Sequence, residues 1–196
     1  MILIREKYLE VYDLKNARNI VIIVIVAALI VCSAVTSYNS IKTKQSNVSN
    51  SLKMLNVQIE HRSRLLENIT DYLNSQSETE NGIKTSIVDI NEKMSSASTL
   101  AEKAEANKEA SSVVNGIINY YNSNVESMNE EFSDKLVELR NIQVRISTAK
   151  NDYNNQIDRF NGETQSFPLN VVVKFVKTDD FEYFMTAEEL QEHNKR

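Results

Sequence analysis

The chain carries no charged residue from position 19 to position 41, and most of that stretch is Ile, Val, Leu and Ala. At about 1.5 Å of rise per residue it would make roughly 35 Å of helix, against a bilayer hydrocarbon core of about 30 Å. Its many β-branched residues do not argue for a strand. A lone strand in lipid would leave its backbone N–H and C=O groups unpaired, whereas a helix pairs them internally. The sequence therefore predicts a transmembrane helix over 19–41, a short amino-terminal segment over 1–18 and a polar remainder. The rival reading is a cleaved secretory signal. Glu6, Glu10 and Asp13 make the leading segment mixed in charge, and the helical pattern runs straight through Ser33 and Ala34, where cleavage would fall. Cys32 follows Val31 rather than a small residue, which speaks against lipid attachment there.

Arg5, Lys7, Lys15 and Arg18 before the stretch outweigh Lys42, Lys44 and Lys53 after it by a small margin. The positive-inside bias then puts the amino terminus in the cytoplasm and the rest outside; the opposite orientation is the alternative. One cysteine gives no disulfide framework from which to read the compartment.

Beyond the apolar stretch the chain is almost free of helix breakers. Three glycines, one proline and no tryptophan in 196 residues leave few turns, so the chain must go into a few long helices. Val48, Leu52, Leu55, Ile59, Arg62, Leu66, Ile69 and Leu73 recur in alternating steps of four and three, the seam of a packed helix. Phe132, Leu136, Leu139, Gln143, Ile146, Lys150, Tyr153, Ile157 and Phe160 form a second seam. Between them Ile83, Ile87, Ile90, Met94, Ala97, Ala101 and Ala104 keep the rhythm with shrinking side chains, which suits close helix approach. The expected fold is all-α: the membrane helix continues into an antiparallel bundle of three to four long helices over 42–165, closed by a short helix or cap and polar tail over 166–196. In the three-helix, up-down-up form, turns fall over 77–82 and near Gly162, and a straight helix over 82–122 outruns its neighbour. It then either breaks between 107 and 116, or carries Ile117, Ile118, Tyr120 and Tyr121 to the membrane interface rather than into the bundle core.

From Ser166 the character changes. Pro168 suits a first helical turn, and Val171, Val172, Val173, Phe175 and Val176 are too few for a second span. A short helix over 168–176 is expected, with a strand as the alternative. With Phe181, Tyr183 and Phe184 it should cap the bundle end far from the membrane, where the last long helix terminates in the up-down-up form. These three residues, with Tyr120 and Tyr121, are the candidate interaction residues.

No catalytic pattern is present. His61 and His193 are the two histidines, there is no glycine-rich phosphate loop and no cysteine pair, and acidic pairs such as Glu130 with Glu131 read as solvated faces. No metal, cofactor or catalytic residue is therefore assigned. A net charge of −5 gives no electrostatic footprint for nucleic acid. The polar intruders Arg62, Gln143 and Lys150 stand out, because such positions fix register and partner choice. If the first helix turns back near Ser77, Arg62 lies level with 89–92 and a buried ion pair with Asp89 or Glu92 is expected.

Tyr38 and Asn39 just past the apolar stretch, followed by Gln58, Arg62, Leu66 and Asn68, resemble the opening pattern of the LemA family. Gln143, Tyr153, Asn154, Asn161, Phe167 and Pro168, then Phe181 and Phe184, are similar in order and spacing to its closing signature. Asn56, Glu60, His61, Arg64 and Glu67 depart from the usual residues of the first motif, and 121–124 replaces its tyrosine-proline turn. The resemblance implies a membrane helix carrying an antiparallel bundle in a bacterial envelope, without enzymatic activity and with a role in membrane organisation or recruitment. The expected partners are the lipid bilayer and another envelope protein or a second copy. The competing function is a ligand-sensing bundle that signals through a membrane partner.

Overall fold

The computed structural model describes residues 2–75, 81–123 and 130–195, and no strand occurs among them. The helices are α1 (Ile2–Ser75), α2 (Asn81–Ser96), α3 (Leu100–Asn122), α4 (Glu130–Thr164), α5 (Leu169–Val172) and α6 (Ala187–His193). Helix α1 is unbroken for 74 residues because its sequence contains neither glycine nor proline. The first glycine, Gly82, comes only after it has ended.

The chain divides into two compact units, one of 1–45 with 161–178 and the other of 46–160 with 179–196. In the second, the chain runs up, down, up and down. Tyr72 of α1 stacks on Phe132 of α4 at 4.5 Å while Arg62 of α1 bonds Gln143 of α4, so these two helices are antiparallel. Tyr121 of α3 meets the same Phe132 at 4.5 Å, and Asn107 of α3 bonds Arg62, so α3 runs parallel to α1. Lys93 and Glu109 form an ion pair across the α2–α3 hairpin. Both seams read from the sequence lie inside: Val48, Leu55, Ile59, Leu66, Ile69 and Leu73 are buried on α1, and Phe132, Leu136, Leu139, Ile146, Ile157 and Phe160 on α4.

The break in the middle helix falls ten residues earlier than expected, over 97–99, and reverses the chain instead of kinking it. The cause is a capping box. Thr99 Oγ1 accepts the Glu102 N–H at 3.1 Å, and Glu102 Oε2 accepts the N–H groups of Thr99 and Ser98 at 3.0 and 2.8 Å. These backbone bonds, first Thr99 and then Ser98, hold the Glu102 carboxyl below its usual range. Because Ser95, Ser96, Ser98 and Thr99 also favour bonding to nearby backbone over continuing a helix, the run is a stop followed by a start. Through 107–116 the helix is continuous, and Ala101, expected in a seam, is exposed.

Two glycine expectations are corrected as well. Gly82 lies inside α2 and Gly162 inside α4, and no glycine has a positive φ. The turn expected over 77–82 falls mostly outside the described residues. Helix α4 ends two residues after Gly162, where the Ser166 N–H donates to the Glu163 carbonyl at 3.0 Å.

In the first unit, Ile20 to Val26, Leu29, Ile30, Val31 and Val35 on α1 are all exposed. At about 1.5–3 kcal/mol per aliphatic side chain, moving these eleven from water into hydrocarbon is worth on the order of 20 kcal/mol. The hydroxyl of Thr36 donates back to the Cys32 carbonyl at 3.0 Å, so it needs no outside partner. One helix among the described residues is thus long and apolar enough to cross a membrane. Lys44 pairs with Glu163 and ties the end of α4 to α1 one turn beyond Ile41, which is fully buried. Residues 166–176 form a turn, α5 and a further turn rather than a strand, and they belong to the unit that holds the apolar stretch. Their expected place at the remote end of the bundle assumed three long helices. The added reversal at 97–99 makes α4 antiparallel to α1 and brings its end back to Lys44.

Candidate functional site

The side chain that most needs explaining is Arg62, 1 % exposed and on the inward face of α1. Its Nη2 donates to Asn107 Oδ1 at 2.9 Å, and its Nη1 donates to Gln143 Oε1 at 3.0 Å and Ser111 Oγ at 3.4 Å. Ser111 Oγ itself donates to the Asn107 carbonyl at 2.9 Å, and Gln143 Nε2 donates to the Ser111 carbonyl at 3.4 Å. One guanidinium therefore joins α1, α3 and α4 at a single level. Its partners are all neutral.

The ion pair expected with Asp89 or Glu92 is absent. The level was right: Asn56, Ile59 and Ser63 on α1 and Asn91, Met94 and Ser95 on α2 line one groove. The direction was wrong, because Ile87 and Ile90 point inward from α2, which turns Asp89 and Glu92 to solvent at about 100° per residue. Burial lowers the Arg62 pKa to about 10, so the group stays charged at neutral pH. A permanently charged donor fork bonded to fixed amide oxygens neither transfers protons nor attacks. It ties three helices together at one level.

A second constellation fastens the carboxy-terminal segment to α4. Asn154 Nδ2 donates to the Phe184 carbonyl at 3.2 Å, and its Oδ1 accepts the Phe184 N–H at 2.9 Å. A buried amide side chain thereby satisfies both main-chain groups of one residue, which a carboxylate or an apolar side chain cannot do. Tyr153 donates its hydroxyl to the Glu182 carbonyl at 2.6 Å; burial, then the Glu182 charge, pushes its pKa up to about 12. Tyr183 donates to Asp158 at 2.7 Å, and Phe181 meets Phe160 edge-on at 5.3 Å.

Lys150, the other intruder in the α4 seam, reaches both carboxylate oxygens of Glu189 at 2.6 and 2.8 Å. Glu189 also accepts the Thr186 N–H at 2.9 Å in a capping box that starts α6. Burial works against the Glu189 carboxylate, but the bonds from Lys150 and Thr186, with the fields of Lys150 and Lys108, hold its pKa below the usual value.

Phe184, offered by the sequence as an external contact, is 0 % exposed and packs inside. Phe181 and Tyr183 are half-buried on the same clasp. Tyr121 lies in the core with Ile117 and Ile118, its ring meeting Phe132, while Tyr120 beside it is exposed. That favours the core reading of 117–121 over the interfacial one. Leu66 is buried, Gln58 half-buried, and Asn68, Tyr38, Asn39 and Asn161 exposed. Phe167 is 83 % exposed and Pro168 precedes α5. The clasp was missed by sequence reasoning, although the capping pattern Thr186-x-x-Glu189 would have found its helix. Among the described residues, no group of three or more His, Cys, Asp or Glu side chains is placed to hold a metal ion.

The family model described as the LemA family matches residues 32–195, nearly the whole chain. No curated protein matches the chain.

Proposed function

The chain belongs to the LemA family, and on that premise we propose that it is a single-pass, membrane-anchored scaffold or adaptor of the bacterial envelope, with its amino terminus in the cytoplasm. The observation that carries this reading is α1 itself: one uninterrupted helix holds an exposed apolar stretch and, farther along, the buried seam that nucleates a bundle. A helix of this kind ties a folded body to a lipid surface. The LemA family is not a known enzyme family, and Arg62 and the clasp have the chemistry of register and fastening.

What such a bundle offers a partner is helix surface. Val137 and Val144 on α4, and Met54 and Val57 on α1, are exposed apolar side chains at helical spacing, the pattern against which a second helix would pack. A photo-crosslinking residue at Val144, introduced into the full chain in intact cells, tests this. Capture of one defined envelope protein, or of a second copy, is expected. Absence of any crosslinked species, with a small molecule carried through purification and seen by native mass spectrometry, would replace the scaffold with the ligand-sensing alternative.

A further inference from the structure

Among the described residues, the two most exposed large hydrophobic side chains are Phe175 at 86 % and Phe167 at 83 %, and they flank α5 in the unit that contains the apolar stretch. Val171, within α5, is exposed as well. Soluble surfaces seldom leave such a group uncovered, since large apolar side chains gain free energy on leaving water. The Lys44–Glu163 ion pair holds the segment's leading end one helical turn beyond Ile41, where the uncharged stretch of α1 stops. A helix crossing a bilayer with this stretch emerges at the level to which the segment is tied.

We propose that residues 166–176 form a second membrane contact, in which Phe167 and Phe175 enter the headgroup–acyl boundary of the leaflet from which α1 emerges. The occupant of this apolar surface is lipid, because the segment shares one compact unit with the apolar stretch of α1 and is tied by Lys44 and Glu163 to the level at which that stretch ends. A turn of α5 cannot hold a membrane alone. It needs no affinity of its own, because α1 already keeps it at the surface and the second contact is intramolecular. The inference rests on the anchor reading of α1 and adds a fixed orientation of the emerging helix, which a single span does not provide.

The chain has no tryptophan, so F167W and F175W each install a single reporter. The full chain is reconstituted in phosphatidylcholine vesicles with and without brominated acyl chains, beside L29W within the apolar stretch and V88W on the exposed face of α2. The expected result is blue-shifted emission from both phenylalanine positions, shielding from iodide, and about twofold or greater loss of emission with brominated lipid, as for a side chain at the interface. V88W should show none of these. If L29W is quenched while F167W and F175W behave like V88W, the anchor stands and the second contact is wrong. Emission that is blue-shifted yet insensitive to brominated lipid means that protein covers the patch, which also overturns the proposal. An unquenched L29W removes the anchor and the inference together.

Discussion

The two compact units differ in how completely their own residues satisfy them. In the unit of 46–160 and 179–196, a fully buried guanidinium finds acceptors on two other helices, and the main chain of Phe184 is bonded on both sides by one asparagine. In the unit of 1–45 and 161–178, eleven aliphatic side chains and two phenylalanines are exposed. The same chemistry governs both. One unit covers most of its apolar side chains itself. The other leaves them exposed, as the proposed membrane anchor requires.

The largest expected effect breaks the second half of this comparison. Val26→Arg with Leu29→Arg puts two charges into the apolar stretch at about 2.5–3.5 kcal/mol each on the translocon insertion scale. Each remaining aliphatic side chain contributes only about 0.3–0.6 kcal/mol on that scale, so insertion should be abolished. Membrane fractions washed with alkaline carbonate should then lose the protein, whereas the parent stays in the pellet. Next in size, Asn154→Leu strips both bonds from the buried main chain of Phe184. The unfolding free energy in urea should fall by about 2–4 kcal/mol, and an unchanged midpoint would mean that the clasp is ornamental.

Arg62→Leu removes a buried charge but orphans Asn107 and Gln143, so a loss of about 1–3 kcal/mol is expected in the same measurement. Arg62→Lys should not restore it, because an ammonium lacks the planar fork that spans two amide oxygens. A smaller effect, about 1 kcal/mol, should follow Thr99→Ala, which removes the cap of α3. The least is electrostatic. Since the folded Glu189 carboxyl sits below its ordinary value, its contribution is present at neutral pH and lost as pH falls through the folded value. The parent should therefore lose more stability than Glu189→Gln between about pH 7 and about pH 4.

The helical class, the apolar stretch and both long seams were legible in the sequence, because periodicity of apolar residues decides which face of a helix is buried. Helix direction was not. It hinged on whether 97–99 was continuous helix or a reversal, and the alanines on either side hid the Thr99–Glu102 signal. That single local event flips α4, so that its end pairs with Lys44 of α1. Arg62 was legible as an intruder in a seam, but its neutral partners were not, since Asn107 and Ser111 lie in a stretch where the sequence expected a break. Asn154 stood out only through the family resemblance. Its role depends on a main-chain segment thirty residues away, which local pattern does not reveal.

The most direct test uses the cysteine the chain already has. Cys32 is its one cysteine, lies in the middle of the apolar stretch and is exposed on the helix surface. With the full protein in sealed vesicles, a water-soluble, membrane-impermeant maleimide should leave Cys32 unmodified, and labelling should become complete once detergent and denaturant expose it. Rapid labelling in intact vesicles would place the stretch in water and contradict a helix finished by lipid.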